Sequence, residues 1–473
     1  MPRVLGVDSS TQATKIELRD ADTGVLLANG RASHPSTSPP CSEQHPSAWW
    51  EAFDHACARA EVRWTDVDAI SFAAQQHGMV VLDDRDEVIR PAKLWNDTES
   101  AADAKWLLSK RSAQEWADAC GSVPLAAFTI TKLSWLHRTE PESWARVARV
   151  CLPHDWLTLR LTGEHVTDRG DASGTGYWSP RDNEWALDLL AIVDAERDWM
   201  PALPKVCDPY DALPSRGSAR TIVAPGTGDN MAAALAVGAA TGRVVVSIGT
   251  SGTVFTSTAA PTADASGSVA GFADATGRFL PLVCTANATK VTDAVARWCA
   301  VDLATLDAMA LATPAGAGGV ALVPYLDGER TPNRPDASGT IVGLRSDTAP
   351  AQLARAAFEG VACGLLDGLD ALLACGVTPP TEIALIGGGA MSRAYRQVVA
   401  DLAQAPVVVP AGVEHVACGA AVQAAAVLQG TDAATVAAAW SLDQGTVTEP
   451  SIDADHAAAV RNYYAQAAAQ CVV

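Results

Sequence analysis

The stretch Ala224-Pro225-Gly226-Thr227-Gly228-Asp229-Asn230 joins a β-branched run, Thr221-Ile222-Val223, to an alanine-rich run from Met231 to Ala240. A strand that breaks at Pro-Gly-Thr-Gly and restarts as a helix places an Asp at the helix mouth, beside backbone N–H groups that have no partner within the helix. Open α/β sheets bind their ligands at such strand ends. Asp is also a preferred N-cap, and these seven residues alone leave that reading open. Two glycines just before the Asp give more backbone freedom than a cap requires and allow a ligand to come close. Asp229 is therefore the candidate general base, and the rest of the chain must supply the other parts of a reaction.

At 473 residues the chain exceeds what one hydrophobic core organises, so two domains, 1–240 and 241–473, are expected with a cleft between them. Apolar residues at 48% and charged residues at 19% describe a globular protein with no long disordered tract. The net charge of −20 argues against nucleic acid or an anionic membrane as partner, since both would be repelled before contact. The 11 cysteines stand singly with no C-x-x-C, as small apolar fillers in a reducing compartment do. Val4-Leu5-Gly6-Val7-Asp8 leaves no room for an apolar signal core, and the run Met231 to Ala240 is about half of the roughly 20 residues that span a bilayer. A cytoplasmic location is expected.

From the N-terminus, Arg3 to Asp8 reads as a buried strand, Ser9-Ser10-Thr11-Gln12-Ala13 as a polar turn, Thr14 to Arg19 as the return strand and Val25 to Ala28 as a third. Residues 243–256 repeat the plan: a strand, a corner of Gly249, Thr250, Ser251 and Gly252, then a strand. Two such hairpins about 240 residues apart point to a duplicated domain. A third corner follows the strand Ile383 to Ile386 as Gly387, Gly388 and Gly389, ahead of a helix from Ser392 to Leu402. Between these corners the patterning predicts strands at Ala69–Ala73 and Met79–Leu82. It predicts helices at Ser47–Arg59, with Trp49, Trp50 and Phe53 buried, and at Ser100–Trp116, Thr129–Thr139 and Pro153–Thr162. In the second half helices are predicted over Asn287–Cys299, Leu303–Leu311, Ala351–Leu373, His415–Leu428 and Ala454–Ala469. The polar, proline-marked segment Asp327 to Pro335 is expected as a surface loop near the cleft.

The corners together can carry phosphate chemistry. Asp8, at a strand end beside hydroxyls, suits Mg²⁺ held through water, because hard divalent cations take one or two carboxylates plus substrate phosphates. Ser10, Thr11, Gly249, Thr250 and Ser251 offer hydroxyl and amide donors to a polyphosphate, and Gly387, Gly388 and Gly389 let an anionic or flat ligand lie on the main chain. Such an acidic molecule must hold a nucleotide by local donors and a metal. No G-x-x-x-x-G-K-[ST], G-x-G-x-x-G before a helix, G-x-S-x-G, H-x-x-x-H or C-x-x-C is present, which weakens Walker-type, dinucleotide, serine-hydrolase and zinc readings.

The chain resembles the FGGY family of carbohydrate kinases nearly end to end. The resemblance is carried by Asp8-Ser-Ser-Thr11, Gln76-His77-Gly78, Leu94-Trp95-Asn96-Asp97, Lys132-Leu133-Ser134-Trp135, Leu152-Pro153-His154-Asp155-Trp156-Leu157 and Gly228-Asp229-Asn230. It continues through Ser247-Ile-Gly-Thr-Ser-Gly252, Pro324 to Pro332, Gly339 to Glu359 and Gly387-Gly-Gly-Ala390. It implies a two-domain α/β fold of the actin-like (ribonuclease H-like) type that closes over ATP and a sugar, with the sugar in the first domain and the nucleotide in the second. It further implies transfer of the γ-phosphoryl group of ATP to the terminal (C5) hydroxyl of a pentulose such as D-xylulose. Asp229 falls where the family has its base, Asp8 where it has a metal-associated carboxylate, and Gln76 and His77 where it binds sugar, with Asn230 beside them. Trp95 reads as packing more than stacking, while Asn96 and Asp97 read equally as sugar contacts or loop supports. Ser10 and Ala13 stand where many relatives have glycine, and Gln76 where Met is frequent, which adds a hydrogen-bonding group beside the sugar. Asp171, in Asp-Ala-Ser-Gly, reads as an ordinary turn residue. The expected partners are a pentulose and ATP with Mg²⁺, and neither nucleic acid nor membrane; the sequence is compatible with a homodimer without specifying one. A kinase for another ketose or polyol (ribulose, fuculose, gluconate) and a non-catalytic sugar sensor on the same scaffold remain as alternatives.

Overall fold

The computed structural model describes residues 1–239, 242–412 and 414–471. The boundary expected between residues 240 and 241 lies outside the described residues. The chain forms two compact units: one of residues 1–238, 258–280 and 414–443, the other of residues 239–257, 281–413 and 444–473.

The first unit is built on a seven-stranded mixed sheet. Strands β1 (Arg3–Ser9), β2 (Ala13–Asp20) and β3 (Leu26–Ser33) form an antiparallel meander. On the other side of β1 lie β4 (Ala69–Ala74) and β5 (Ile222–Val223), both parallel to it, with β6 (Thr227–Gly228) continuing along β4. A short strand at Leu213–Pro214 closes the edge antiparallel to β5. Nearly all of β1 and all of β4 are buried, as the unbroken apolar character of Val4-Leu5-Gly6-Val7 and Ala69 to Ala74 requires for strands covered on both faces.

In the second unit six strands run in the order β9-β8-β7-β10-β11-β12, where β7 is Arg243–Ile248, β8 Gly252–Phe255, β9 Phe279–Thr285, β10 Glu382–Ile386, β11 Val407–Pro410 and β12 Gly445–Thr448. The pairing senses match the first sheet position for position: β7, β8 and β9 are antiparallel, β10 and β11 run parallel to β7, and β12 closes the edge antiparallel. The duplication expected from the two hairpins is therefore present down to the edge strands.

Helices cover the first sheet. Helix α1 (Pro46–Arg59) starts with Pro at its first position and packs on β2 and β3, with Trp49 and Phe53 buried and Trp50, against expectation, only half-buried. Phe53 meets Phe72 of β4 edge-on at 5.3 Å. Helices α2 (Thr129–Thr139) and α3 (Pro153–Thr162) match their predicted bounds, α3 ending at Gly163 in the left-handed conformation. The helix α4 (Arg169–Ala172) is a single turn, and α5 (Asp229–Ala236) ends before the predicted Ala240, where Gly238 turns the chain with positive φ. The helix expected over Ser100–Trp116 is two helices, Ala101–Lys110 and Ala113–Cys120. The second has its own capping box, in which Ser112 and Glu115 exchange hydrogen bonds, and this draws the chain out of helix at Arg111.

In the second unit α6 (Thr289–Cys299), α7 (Pro350–Ala374) and α8 (Arg393–Ala403) fall where expected. Helix α9 (His415–Gln429) belongs to the first unit, where it packs on β1 and α5. Its approach is close: a Cβ on Gly6 would stand 1.9 Å from Ala417 O, and one on Gly419 1.7 Å from Ala232 O. Among the described residues no helix is long and apolar enough to cross a membrane.

Candidate active site

Asp8 lies one residue from the end of β1, paired with Lys15 on β2 and Ala73 on β4. Its side chain is almost wholly buried. One carboxylate oxygen accepts a short hydrogen bond from Ser10 Oγ, and the other is 3.4 Å from Lys15 Nζ, which also binds Glu414 at 2.7 Å. Burial raises the carboxyl pKa, and Lys15 and Ser10 only partly offset this. Ser10 thus spends its hydroxyl on Asp8.

Asp229 opens α5, but it is not the cap. Gly228 occupies the N-cap position with an extended backbone and no side-chain bond, leaving Asp229 as the first helical residue. The turn before it is bound to the sheet, with Thr227 and Gly228 bridging Ala73 and Ala74 of β4, and Gly226 at φ +84 lies so near Phe72 that a Cβ would stand 2.6 Å from its carbonyl oxygen. Asp229 Oδ1 accepts from the N–H of Asn230 at 2.9 Å and from its Nδ2 at 3.0 Å. Burial, then the nearby Asp8 carboxylate, raises the Asp229 pKa to about 7, although the helix N-terminus favours the anion. Two carboxyls that resist ionisation, one with an ammonium beside it, form an oxygen-donor set short of positive charge. That set fits a hard divalent cation.

Asn230 Nδ2 also donates to Gln76 Oε1 at 2.9 Å. Gln76 is 5% exposed, and its Nε2 is buried without a hydrogen-bond acceptor. His77 follows at φ +66, a conformation a non-glycine residue holds only when its surroundings enforce it. Nδ1 of His77 lies 2.6 Å from Gly174 O, and its ring stacks on Phe128 at 4.9 Å and tilts against Phe272 at 5.6 Å. Trp95 Nε1 donates to Thr11 Oγ1 at 2.8 Å, and Thr11 in turn donates to Gln75 Oε1 at 3.1 Å. The hydroxyl corner is therefore hydrogen-bonded to Trp95 and to Gln75, the residue before the Gln76-His77 turn. Asn96 follows Trp95 and keeps a buried Oδ1 with no hydrogen-bond donor.

Asp97 differs. It is fully buried, takes the N–H of Ser42 at 2.9 Å and of Glu99 at 3.1 Å, and lies 3.1 Å from Lys93 Nζ, so it supports its loop and is not open to a sugar. Cys41, Glu43, Asp97 and Glu99 present ligand atoms close together, but the Lys93 ammonium already contacts all three carboxylates at 2.5–3.1 Å.

The second unit holds the other two corners. The N–H of Gly249 donates to Ser251 O at 2.9 Å, while the carbonyls of Gly249 and Thr250 accept from Thr289 and Ala288 at the start of α6. Gly387, at φ +85, follows β10, which pairs with β7, and Cβ atoms on Gly387 and Gly389 would stand 2.7 Å from Ile248 O and 2.4 Å from Ile248 Cγ2. Gly388 faces open space. The two corners thus adjoin through Ile248, leaving a side-chain-free surface at the strand ends. The loop from Asp327 is less exposed than expected. Asp327 and Arg330 are exposed, but Glu329 is buried and accepts from Ala286 N at 2.5 Å and Asn287 Nδ2 at 2.8 Å, holding the entry to α6.

Lys15, Phe128 and Phe272 escaped the sequence reading, and His154 entered it only inside the motif Leu152 to Leu157; only the Asp8–Lys15 register of the hairpin could have indicated the first. Asp171 is no ordinary turn residue: it is fully buried beside His154.

The model of the FGGY family of carbohydrate kinases, N-terminal domain, matches residues 3–236, and that of the C-terminal domain matches residues 244–428. A xylulose kinase of Streptomyces coelicolor is 45% identical over 468 residues, 96% of this chain and 94% of that protein. One of Streptomyces rubiginosus is 44% identical over 95% of this chain and 92% of its own. The crystal structure of xylulose kinase from Bifidobacterium adolescentis superposes with a TM-score of 0.87 at 39% identity, covering 99% of both chains. With both halves matched and the duplicated actin-like sheets in place, the chain belongs to the FGGY family of carbohydrate kinases.

Proposed function

We propose that the protein is an ATP-dependent xylulose kinase of a reducing, cytoplasmic compartment. The observation that supports this most directly is the identity of 45%, over 96% of the chain, to a protein named xylulose kinase. In this reading residues 1–240 hold the sugar, through Gln76, His77, Asn96 and Asn230 with Trp95 and Asp97 shaping the loop, and residues 241–473 hold the nucleotide. The amides of Ser10 and Thr11, the hydroxyls and amides of Thr250 and Ser251 and the amides of Gly387, Gly388 and Gly389 supply donors to its phosphates, with Gly249 shaping the corner.

Asp229 takes the proton of the C5 hydroxyl as that oxygen bonds to the γ-phosphorus and the bond to the β,γ-bridging oxygen breaks, giving xylulose 5-phosphate and ADP. A base with a pKa of about 7 is matched to that task near neutral pH. Mg²⁺ would be held by Asp8, and when bound it supplies charge neutralisation on the phosphate oxygens. The chain's own contribution is positioning and fixed dipoles, in a site where an acidic molecule repels the triphosphate at long range.

A panel of D-xylulose, ribulose, fuculose and gluconate at saturating ATP tests the substrate. D-xylulose is expected to give the highest kcat/KM by at least about tenfold, and a better value with any of the others replaces xylulose by that sugar. Gln76→Met tests the orphan amide. Removing one buried hydrogen-bond partner costs about 1–3 kcal/mol, so the sugar KM is expected to rise roughly 5- to 100-fold with kcat changed little. An unchanged KM would remove Gln76 from the sugar site.

A further inference from the structure

Beneath the turn that carries Asp229 lies a cluster that no step above uses. His154, the second residue of α3, is fully buried. Its Nε2 stands 3.2 Å from Asp155 Oδ1, 3.3 Å from Asp168 Oδ1 and 3.4 Å from Asp171 Oδ2. Asp155 is anchored by the N–H of Leu152 at 2.7 Å. Asp168 caps α4, accepting from the N–H groups of Gly170 and Asp171 at 2.9 Å each, and its Oδ2 also accepts from Thr227 Oγ1 at 2.7 Å. Neither oxygen of Asp171 accepts a hydrogen bond. The imidazole also packs on the turn itself, since a Cβ on Gly226 would come within 2.8 Å of His154 Nδ1.

Three buried carboxyl groups around one ring demand a compensating charge. Burial disfavours the imidazolium, but Asp155, Asp168 and Asp171 outweigh it and bring the His154 pKa to about 9, so the ring is charged at neutral pH. Asp171 is pushed well above the ordinary carboxyl range, first by burial and also by the neighbouring carboxylates, Asp229 among them. Asp168 lies 3.3 Å from the His154 ring and passes its hold to the hydroxyl of a residue two positions before Asp229.

We propose that His154 is a positioning residue for phosphoryl transfer: it fixes Asp168, Asp168 fixes Thr227, and Thr227 sets the turn from which Asp229 projects. This rests on the reading of Asp229 as the base. Asn230 rides on the same turn while the nucleotide contacts lie elsewhere, so the signature is a loss in kcat with the KM for ATP retained.

His154→Gln, which keeps a polar group and removes the charge, is expected to lower kcat about 10- to 100-fold with the KM for ATP within about threefold, since small displacements of a catalytic group have effects of that size. His154→Lys, which restores the cation, should recover most of the loss. Thr227→Val removes only the hydroxyl that Asp168 holds and should lower kcat similarly. Because the residues act in series, the double variant should be no slower than the slower single one by more than about threefold. Hydrogen exchange of residues 222–232 in the substrate-free protein should quicken at least about tenfold in both single variants, while β7 exchanges as in the parent. Unchanged exchange, kcat within threefold of the parent in both variants, or losses that multiply in the double variant would each overturn the proposal. Should His154→Gln not fold, Thr227→Val and its exchange decide. A parent that turns over no ketose counts against the kinase reading, while the exchange measurement still decides this one.

Discussion

Asp229→Asn is expected to lower kcat by about 10²–10⁴, the range for loss of a positioned general base, while the KM for ATP stays within a few-fold. The pH profile adds a sign. The base must be deprotonated, so kcat/KM for the parent should fall about tenfold per unit below the Asp229 pKa of about 7 and level off above it. In Asp229→Asn that limb should vanish. Asp8→Asn removes the negative neighbour that helps raise Asp229, so whatever activity remains should show the limb at lower pH. The two carboxyls titrate as a coupled pair, so the limb belongs to the pair and its displacement is the informative quantity. A kcat within tenfold of the parent in Asp229→Asn would remove this residue from the base's role.

Gly419→Val is expected to be the most damaging single change to folding. A Cβ there meets the backbone carbonyl of Ala232 at 1.7 Å, and neither α9 nor α5 can yield without dragging the strand that carries Asp8 or the helix that begins at Asp229. Overpacking between backbones costs about 3 kcal/mol or more, a large share of the 5–15 kcal/mol that holds a domain. Denaturant unfolding should show the transition of the first unit moving to lower concentration, followed by separate probes because two units need not unfold together. Gly364→Ala is the control. Its nearest neighbour would be Tyr464 OH at 3.6 Å, an ordinary contact, and replacing glycine inside a helix should leave stability unchanged or raise it by up to about 1 kcal/mol. Equal losses in the two variants would discount the close approach as the cause.

The fold was legible because its punctuation is local. Pro46, Pro153 and Gly163 mark helix ends by what their backbones allow, and Ser10-Thr11 and Gly249 to Gly252 mark the same hairpin corner twice. The sheets then diverge at one place. The strand parallel to the hairpin ends in Gln75-Gln76-His77 in the first unit and in Gly387-Gly388-Gly389 in the second, so equivalent positions present side chains in one and bare backbone in the other. The place of Asp229 at the start of its helix was legible from its turn. What stayed hidden was whatever depends on distant residues meeting. His154, Asp168 and Asp171 carry no spacing that announces a cluster, and Phe272 reaches His77 from a segment nearly two hundred residues on. Asp97 and Glu329 look like loop residues by composition, and only their burial shows that they hold loops together. The break at Arg111 was missed because a capping box inside a long amphipathic run competes with the helix itself.

Helix α9 follows β1 after a long stretch of chain, yet it covers that strand. During synthesis at about 5–20 residues per second, β1 leaves the ribosome roughly twenty seconds to over a minute before the segment that shields it. The meander and α1 can assemble meanwhile, but the face of β1 around Gly6 stays uncovered until residue 430 or so has emerged. The strand carrying Asp8 and the helix carrying Asp229 are thus braced late, so that the two carboxyls take their places only once α9 has been made.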